Sequence, residues 1–459
     1  MRRLWHTPAR FLLILRTVVP LYVSYFWLWA KKKWFGKKTP PEVWSRVHTK
    51  NAKRFYKLAV RMRGGLIKVG QIISTRVDIV PPEWSECLAG LQDRVDPTPW
   101  KVIEARLTKE LGAPPQEVFD AVENEAVAAA SFGQVHRATT KDGREVALKI
   151  QYEDVRMKLE CDLFVLRCAV PLFNIFVPKV RLRVIYDEVR KALETELDYR
   201  QEAEYTRLIR ANLEDVSDVF VPEVLDRYTT EFVICTSYFP GFKITDRDKL
   251  GQEGLETLDL IRTVIRAYAC MFFVDGVFQS DPHPGNLLVR KGASGRAELC
   301  ILDFGQVKIL PRQFQRKIVH SSVAFMGRDV DNFAKSVVEM GVLSERDAEI
   351  AKPILTEFFE EMFEMTPNDL KQLDVEVMKE KIQGVIKQIE GVTIPQDIVL
   401  YGRAFSLLAG VIAALDPDVN GIIVAKPMIM EALMRPENFM PLPEETAVSE
   451  GAAPSTISA

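Results

Sequence analysis

The sequence predicts an α+β protein: a small β-rich lobe, then a larger, mostly helical lobe, with a helical extension ahead of both. Three observations carry this. Short β-type runs at 127–138, 145–151 and 231–237 fall together and are punctuated by turns such as Lys141-Asp142-Gly143. Helix-period sequence dominates before residue 116 and after Gly241. The 459 residues leave room for two to four units of roughly 100–200 residues each.

Apolar residues make up 47% of the chain and charged residues 27%. These are ordinary globular values, and they exclude a disordered, collagen-like or disulfide-scaffold protein. A net charge of −2 carries no basic excess of the kind that binds nucleic acid. Charge is unevenly placed, however. Residues 1–77 hold 18 Lys and Arg against one acid, Glu42, while the rest holds 43 basic and 62 acidic side chains. A basic start on an acidic body is expected to meet something anionic. The six cysteines form no CxxC, and with five scattered histidines there is no zinc-type cluster. The thiols are expected to be reduced, in a reducing compartment.

Taken in order, the first element is apolar. Residues 11–30 read FLLILRTVVPLYVSYFWLWA, with one charge, Arg16, and one proline, Pro20. Twenty residues at about 1.5 Å each just span a ~30 Å hydrocarbon core, but the uncharged part, Thr17 to Ala30, is 14 residues. Tyr22, Tyr25, Trp27, Trp29 and Trp34 are interface-type aromatics, and Lys31, Lys32, Lys33, Lys37 and Lys38 suit anionic headgroups. Residues 1–41 are therefore read as a membrane-associating segment, either spanning or interfacial. The alternative is an apolar helix docked on the protein's own body. No small-x-small cleavage site precedes Lys31, so a secretory signal is not expected.

Residues 42–115 form the helical extension. A basic amphipathic helix with Phe55, Leu58, Ala59 and Met62 on its apolar side runs from 42, breaks at Gly64-Gly65, and resumes to 77. Pro81-Pro82 ends it. A further helix, 99–111, closes at Gly112. Residues 116–238 are the β-rich lobe, with one long charged helix, 187–213, inserted. Residues 239–435 are the helical lobe, relieved by two short strands, 287–290 and 299–302. Residues 436–459, rich in Pro, Glu, Ser and Ala, read as a disordered tail. There is no internal repeat.

The chemistry sits in four places. Ala128-Ala129-Ala130-Ser131-Phe132-Gly133-Gln134-Val135 precedes Val146-Ala147-Leu148-Lys149, with Lys149 sixteen residues after Gly133. Protein kinases fold a G-x-G-x-x-G-x-V loop over ATP phosphates and follow it with a strand lysine. Here Ala128 and Ala130 stand in the first two glycine positions, so the loop is expected to be stiffer. Asp281-Pro-His-Pro-Gly-Asn286 has the D-x-x-x-x-N spacing of a kinase catalytic loop, and Asp303-Phe304-Gly305 follows seventeen residues beyond Asn286. Phosphoryl chemistry needs a carboxylate and an amide oxygen on magnesium and a second carboxylate at the nucleophile. His283, between prolines, reads as structural. In 187–213, Asp198 and Glu202 stand at i,i+4 and are expected to share a face, offering a partner for Lys149.

Together these residues resemble the UbiB/AarF family of atypical kinase-like proteins, which includes the coenzyme Q regulators of mitochondria and plastids. The family's K-x-G-Q element is matched by Lys68-Val69-Gly70-Gln71, its Ala-rich loop by Ala128, Ala129, Ala130 and Ser131, and its E-x-D by Glu196 and Asp198. The resemblance spans residues 42–430. It implies a bilobal protein-kinase-like fold. Lys149, supported by Glu202, would contact the phosphates of ATP. Asn286 and Asp303 would hold Mg2+, and Asp281 would stand as catalytic base. Gln71 and Lys68 would project from the extra helix where a peptide would lie, with Lys68 paired to Glu196 or Asp198. Gln279-Ser280 replaces His-Arg before Asp281 and no A-P-E follows Asp303, so a peptide platform is not evident.

The implied function is a membrane-associated atypical kinase or ATPase supporting ubiquinone-type or other prenyl-lipid biosynthesis. Its partners would be membrane lipids, quinone or prenyl-lipid intermediates and quinone-biosynthetic enzymes, with no nucleic acid. Its body would face the reducing, cytoplasmic side. The competing expectation is a nucleotide-sensing pseudokinase scaffold that organises membrane enzymes without turnover.

Overall fold

The computed structural model describes residues 3–35, 39–62, 64–75, 80–89, 91, 97–175, 182–364 and 395–435. The expected tail, 436–459, and Lys37 and Lys38 lie outside them. The chain divides into two compact units, Met1–Arg207 with Pro222–Tyr238, and Leu208–Val221 with Phe239–Ala459.

The first unit opens with helices α1 (Arg3–Phe35), α2 (Pro41–Met62), α3 (Gly65–Thr75) and α4 (Pro82–Ala89), then α5 (Trp100–Leu111) and the single turn α6 (Pro115–Val118). Gly64 between α2 and α3 has φ +62°, and Gly112 closes α5 at φ +77°. Strands β1 (Phe119–Val122), β2 (Ala128–Ala129), β3 (Gly133–Thr140) and β4 (Glu145–Gln151) follow, then α7 (Val155–Asn174), α8 (Leu182–Glu196) and α9 (Tyr199–Asn212). β5 (Val219–Phe220) belongs to the second unit, and β6 (Val233–Ser237) returns to the first. The first sheet runs β1-β3-β4-β6, all antiparallel, with β2 paired to β3.

Alternation along β4 decides what it presents. Val146, Leu148 and Ile150 are buried against Ile103 and Leu107 of α5. Ala147, Lys149 and Gln151 point to the other face. A second core joins α1, α2, α3, α7 and α8 through Ile14, Phe55, Leu66, Leu159 and Leu193. The N-terminal helix is thus docked on the body along one face. Arg10 (9% exposed) forms a two-pronged pair with the fully buried Asp162 of α7, at 2.7 and 2.6 Å, and donates to the Met62 carbonyl.

Three expectations need correction. The single helix over 187–213 is two, broken at Leu197-Asp198. Gln151 donates to the Leu197 carbonyl at 2.9 Å and the Tyr199 N–H to Glu231, so the sheet captures the chain at the break. Asp198 caps the Arg200 N–H there, so it does not continue a helical face with Glu202. The run 127–138 is a hairpin that turns at Ser131-Phe132. Helix α7 (Val155–Asn174) is an addition to the elements expected from sequence.

The second unit continues with β7 (Phe242–Lys243), α10 (Arg247–Glu253), α11 (Thr257–Ala269), a π-helical segment Cys270–Asp275 and β8 (Val277–Gln279). Next come β9 (Leu287–Lys291), β10 (Ala297–Ile301), β11 (Val307–Ile309), α12 (Arg312–Met326), α13 (Val330–Glu339), α14 (Glu345–Glu364), α15 (Gln396–Leu415) and α16 (Gly421–Leu433). The expected hairpin is β9–β10, but it sits in a four-stranded sheet, β5-β10-β9-β7, and β8 pairs with β11. The very short β5, β7, β8 and β11 carry no periodicity to read. Phe272 packs against Phe278 and Tyr401 at centroid distances of 4.8 and 4.9 Å, joining the π-helical segment to α15.

Candidate active site

In the first unit the predicted residues converge on β4. Lys149 Nζ donates to both oxygens of Glu202, at 2.7 and 2.8 Å. Glu202 is buried, and a second group holds the lysine: its ammonium lies 5.2 Å from the ring centroid of Tyr199. Tyr199 was missed from sequence. Its signal was its position three residues before Glu202, which puts both on one side of α9.

The loop ahead of β3 is a closed hairpin. Ala128 pairs with Val135 and Ala129 with Gln134, and the Ala130 N–H donates to the Gly133 carbonyl at 2.8 Å. Ala128 and Ala130 are exposed, Ala129 half-buried and Ser131 buried. Gly133 is required by close approach. A Cβ there would lie 2.5 Å from the Ile150 carbonyl oxygen and 2.7 Å from the Tyr199 hydroxyl.

Lys68 of α3 is buried and pairs with Glu196, Nζ to Oε1 at 2.9 Å. Of the two carboxylates expected, the structure pairs it with Glu196; Asp198 is used by the turn. Gln71 donates to the Leu91 carbonyl at 3.2 Å, so it braces the extension internally. Gly70 permits that packing, since a Cβ would meet Leu91 at 2.3 Å.

A buried polar chain lies beneath the same sheet. Gln134 bonds both backbone groups of Thr98 and its Nε2 reaches His136 Nε2 at 2.8 Å, while His136 Nδ1 bonds the Glu123 carbonyl at 2.7 Å. Nδ1 must then carry the proton and Nε2 accept. Burial lowers the His136 pKa, against the opposing pull of the Glu123 carbonyl.

In the second unit Asp281, Asn286 and Asp303 stand on adjoining loops. Asn286 Nδ2 donates to the Asp281 carbonyl at 3.3 Å, and the Leu302 N–H donates to the Asn286 carbonyl. The amide nitrogen is used, so the acceptor oxygen is the end left to take a cation. Asp303 has φ +60°, a left-handed conformation uncommon for a non-glycine residue. Its Oδ1 accepts from the Gly305 N–H at 3.1 Å, and the side chain is exposed. His283 is structural as expected: its Nδ1 accepts from the Gly285 N–H at 3.0 Å.

Two residues join this loop that sequence reading did not assign. Gln279 is fully buried. It accepts from the Tyr268 hydroxyl at 2.6 Å and donates to the carbonyls of Leu302 and Asp303, at 2.6 and 2.7 Å. It ties the Asp281 loop to the D-F-G backbone, so the change from His-Arg to Gln279-Ser280 supplies a brace. The other is Arg403 of α15, paired with Asp281.

Carboxylate and amide oxygens are the donors that Mg2+ takes. Among the described residues no group of three or more His, Cys, Asp or Glu forms a metal cage. The carboxylate and amide oxygens of Asp303 and Asn286 would suit an ion completed by phosphate and water.

An α+β body with a β4 lysine on a helical glutamate, a D-x-x-x-x-N loop and D-F-G is kinase-like. A family model described as the ABC1 atypical kinase-like domain matches residues 90–337, and the chain belongs to this UbiB/AarF family of atypical kinase-like proteins. Lys68, Gln71 and Arg403 lie outside the matched stretch. The chain is 33% identical to an uncharacterised Synechocystis protein, over 79% of this chain and 64% of that one. It is 31% identical to the chloroplastic "Activity of BC1 complex kinase 8" of Arabidopsis thaliana, over 82% and 53%. It is 30% identical to AarF domain-containing protein kinase 1 of Xenopus laevis, over 59% and 52%. It therefore spans about half to two thirds of the length of these relatives. Among solved structures it is similar to Rv3197 of Mycobacterium tuberculosis in complex with erythromycin, with TM-score 0.55 and 26% identity over 82% of this chain and 94% of that one.

Proposed function

We propose that the protein is a membrane-associated atypical kinase or ATPase that takes Mg-ATP and supports biosynthesis of ubiquinone-type quinones or other prenyl lipids. The observation that carries this reading is the two-pronged Lys149–Glu202 pair, in a chain that also has Asp281, Asn286 and Asp303. Lys149, aimed by Glu202, meets the phosphates, and the hairpin of Ala128, Ala129, Ala130, Ser131 and Gly133 covers them. Asn286 and Asp303 supply the oxygens for Mg2+, which when bound neutralises charge on the phosphoryl group. Asp281 orients the attacking hydroxyl or water and accepts its proton. Lys68, held by Glu196 and with Gln71 bracing its helix, restrains transfer to peptides, so the acceptor is a small molecule. The partners are membrane lipids, quinone intermediates and quinone-biosynthetic enzymes, with the body on the reducing, cytoplasmic side.

The test is phosphate release and thermal stabilisation by Mg-ATP, with and without lipid vesicles. Ligand at 100 times its dissociation constant stabilises by about 2.7 kcal/mol. Asp303→Asn removes that shift while the protein stays folded, because Asn also tolerates the left-handed conformation and keeps an acceptor for the Gly305 N–H. A folded Asp303→Asn protein with the full nucleotide shift would sink the metal assignment. The scaffold reading is favoured by the alanines in the loop and by the arginine on Asp281. It expects the thermal shift without phosphate release.

A further inference from the structure

Helix α1 is apolar on two opposite sides, and only one of them is used by the body. The inner side holds Ile14, Leu21, Tyr25 and Leu28, all buried. The outer side carries Leu12, Leu15, Val19, Val23, Trp27 and Trp34, between 38% and 65% exposed. Their spacing of three, four or seven residues makes one stripe, broken near its start by the exposed Arg16 on the same side. From Leu12 to Trp34 the stripe is about 33 Å long at helical rise.

Helix α7 widens it. Phe11 of α1 meets Phe164 of α7 at 6.5 Å between rings, and Tyr22 meets Phe173 edge-on at 5.9 Å. Phe164 and Leu172 are themselves exposed, at 58% and 48%. The result is a two-helix apolar platform, and a contiguous exposed patch of this kind marks an interaction surface.

Charge identifies the occupant. Lys31 Nζ stands 5.2 Å from the Trp27 ring centroid and Lys33 Nζ 4.7 Å from that of Trp29. The platform thus ends in amphipathic rings capped by ammonium groups, within a 77-residue stretch whose one acid is Glu42. Rings at headgroup depth with cations above them match an anionic lipid surface.

Packing fixes the orientation. By length and composition Arg10–Lys31 is able to cross a bilayer. But α2 lies against the middle of α1: the Tyr25 hydroxyl bonds His48 Nδ1 at 2.9 Å and Asn51 Nδ2 donates to Ser24 Oγ at 2.7 Å. On that same α2, Lys50, Lys53 and Lys57 are exposed. A crossing α1 would carry these ammonium groups toward hydrocarbon, where a charge is costly.

We propose that α1 and α7 together form an interfacial platform that lies flat in one leaflet of an anionic bilayer, with α1 parallel to the membrane plane and not across it. This rests on the membrane association proposed above and specifies its mode.

The experiment is flotation of the full chain with phosphatidylcholine vesicles, with and without phosphatidylglycerol, followed by alkaline carbonate extraction. The wild type is expected to float with the anionic vesicles, to float far less with pure phosphatidylcholine, and to be stripped by carbonate. Phe164→Glu with Leu172→Glu, on exposed α7 positions clear of the Arg10–Asp162 pair, should weaken vesicle binding about tenfold or more. The protein should stay folded, with at most a small drop in melting temperature from the lost Phe11–Phe164 contact, and Mg-ATP stabilisation should not change. Should the double variant misfold, brominated lipids give the same answer on the wild type: shallow bromines should quench Trp27 and Trp34 more than bromines at the chain ends. Carbonate-resistant protein, or deep bromines quenching best, would show a spanning helix. Undiminished flotation of the folded double variant would remove α7 from the face. A wild type that ignores vesicles, and whose dimer the double variant breaks, would make the occupant a second copy. Each of these overturns the proposal. The nucleotide shift is read on the same samples, so failure of the ATP assignment is seen separately.

Discussion

Arg403 Nη2 lies 3.3 Å from Asp281 Oδ1, both side chains about one-fifth exposed. The arginine comes from α15, more than a hundred residues beyond the loop it restrains. Tyr401 on the same helix packs on Phe272, and Asp397 pairs with Lys308 of β11 at 2.6 Å. Helix α15 is therefore anchored at two further points, so the guanidinium is a fixed partner. A partly exposed pair adds about 1 kcal/mol to stability, so its main consequence is direction: it sets where the Asp281 carboxylate points. Arg403→Ala should lower kcat for ATP turnover about tenfold with KM for ATP nearly unchanged, and Arg403→Lys should recover part of the loss. Steady-state kinetics of the two variants decide this. A rise in kcat would mean that Arg403 masks the carboxylate.

Lys68 and Glu196 form the second long-range pair. Lys68 is buried but Glu196 is partly exposed, so breaking it should cost less than the 3–5 kcal/mol of a fully buried pair, about 1–3 kcal/mol. Lys68→Ala should lower the melting temperature and alter nucleotide handling, with self-phosphorylation unmasked. Lys68→Glu with Glu196→Lys should restore part of the stability. A double-mutant cycle on melting temperature, with radiolabel incorporation from ATP, tests both points. A Lys68→Ala protein that melts and turns over like wild type would reduce Lys68 to a packing residue.

The N-terminal helix is part of the core, so removing residues 1–38 disturbs the fold itself. It strips the partner from Asp162, whose carboxyl burial already pushes up in pKa despite Arg10. Arg10→Ala should destabilise by about 3–5 kcal/mol, by leaving that buried acid uncompensated. Arg10→Met with Asp162→Leu should recover most of it. Denaturant midpoints of the single and double variants check this. Equal stability of Arg10→Ala and wild type would mean that α1 is not docked through this pair.

Acid should act through His136. Its folded pKa lies below the ordinary value near 6.5, so the unfolded chain takes up a proton first as pH falls. Stability is full above about pH 6.5 and declines below it, by up to 1.4 kcal/mol per pH unit until the folded pKa is reached. His48, also lowered by burial, acts in the same direction. His136→Gln should therefore flatten the fall in melting temperature between pH 7.5 and 5.5 in part. An identical slope would show that His136 protonates without cost.

Much of the site was legible before any fold was known. The Asp281–Asn286 spacing, the D-F-G at Asp303, the β-strand bearing Lys149 and the Gly112 helix stop are local features, set by neighbours within a few residues, where dihedral preference and hydrogen-bond reach decide the outcome. What lay beyond local reach was the pairing. The Lys149–Glu202 pair, 53 residues apart, was legible through the family resemblance, but Asp162, 152 residues from Arg10, had no such signal. The break at Leu197-Asp198 appears in a stretch that reads as continuous helix, because Gln151 and Glu231 offer its backbone better partners than a further helical turn. Arg403 stands in an apolar helix with no motif around it. Residue types and their order along the chain determined which chemistry was present. Only the tertiary structure decided which charges meet and which face of α1 is left bare, because burial and long-range contact are properties of packing and leave no period in the sequence.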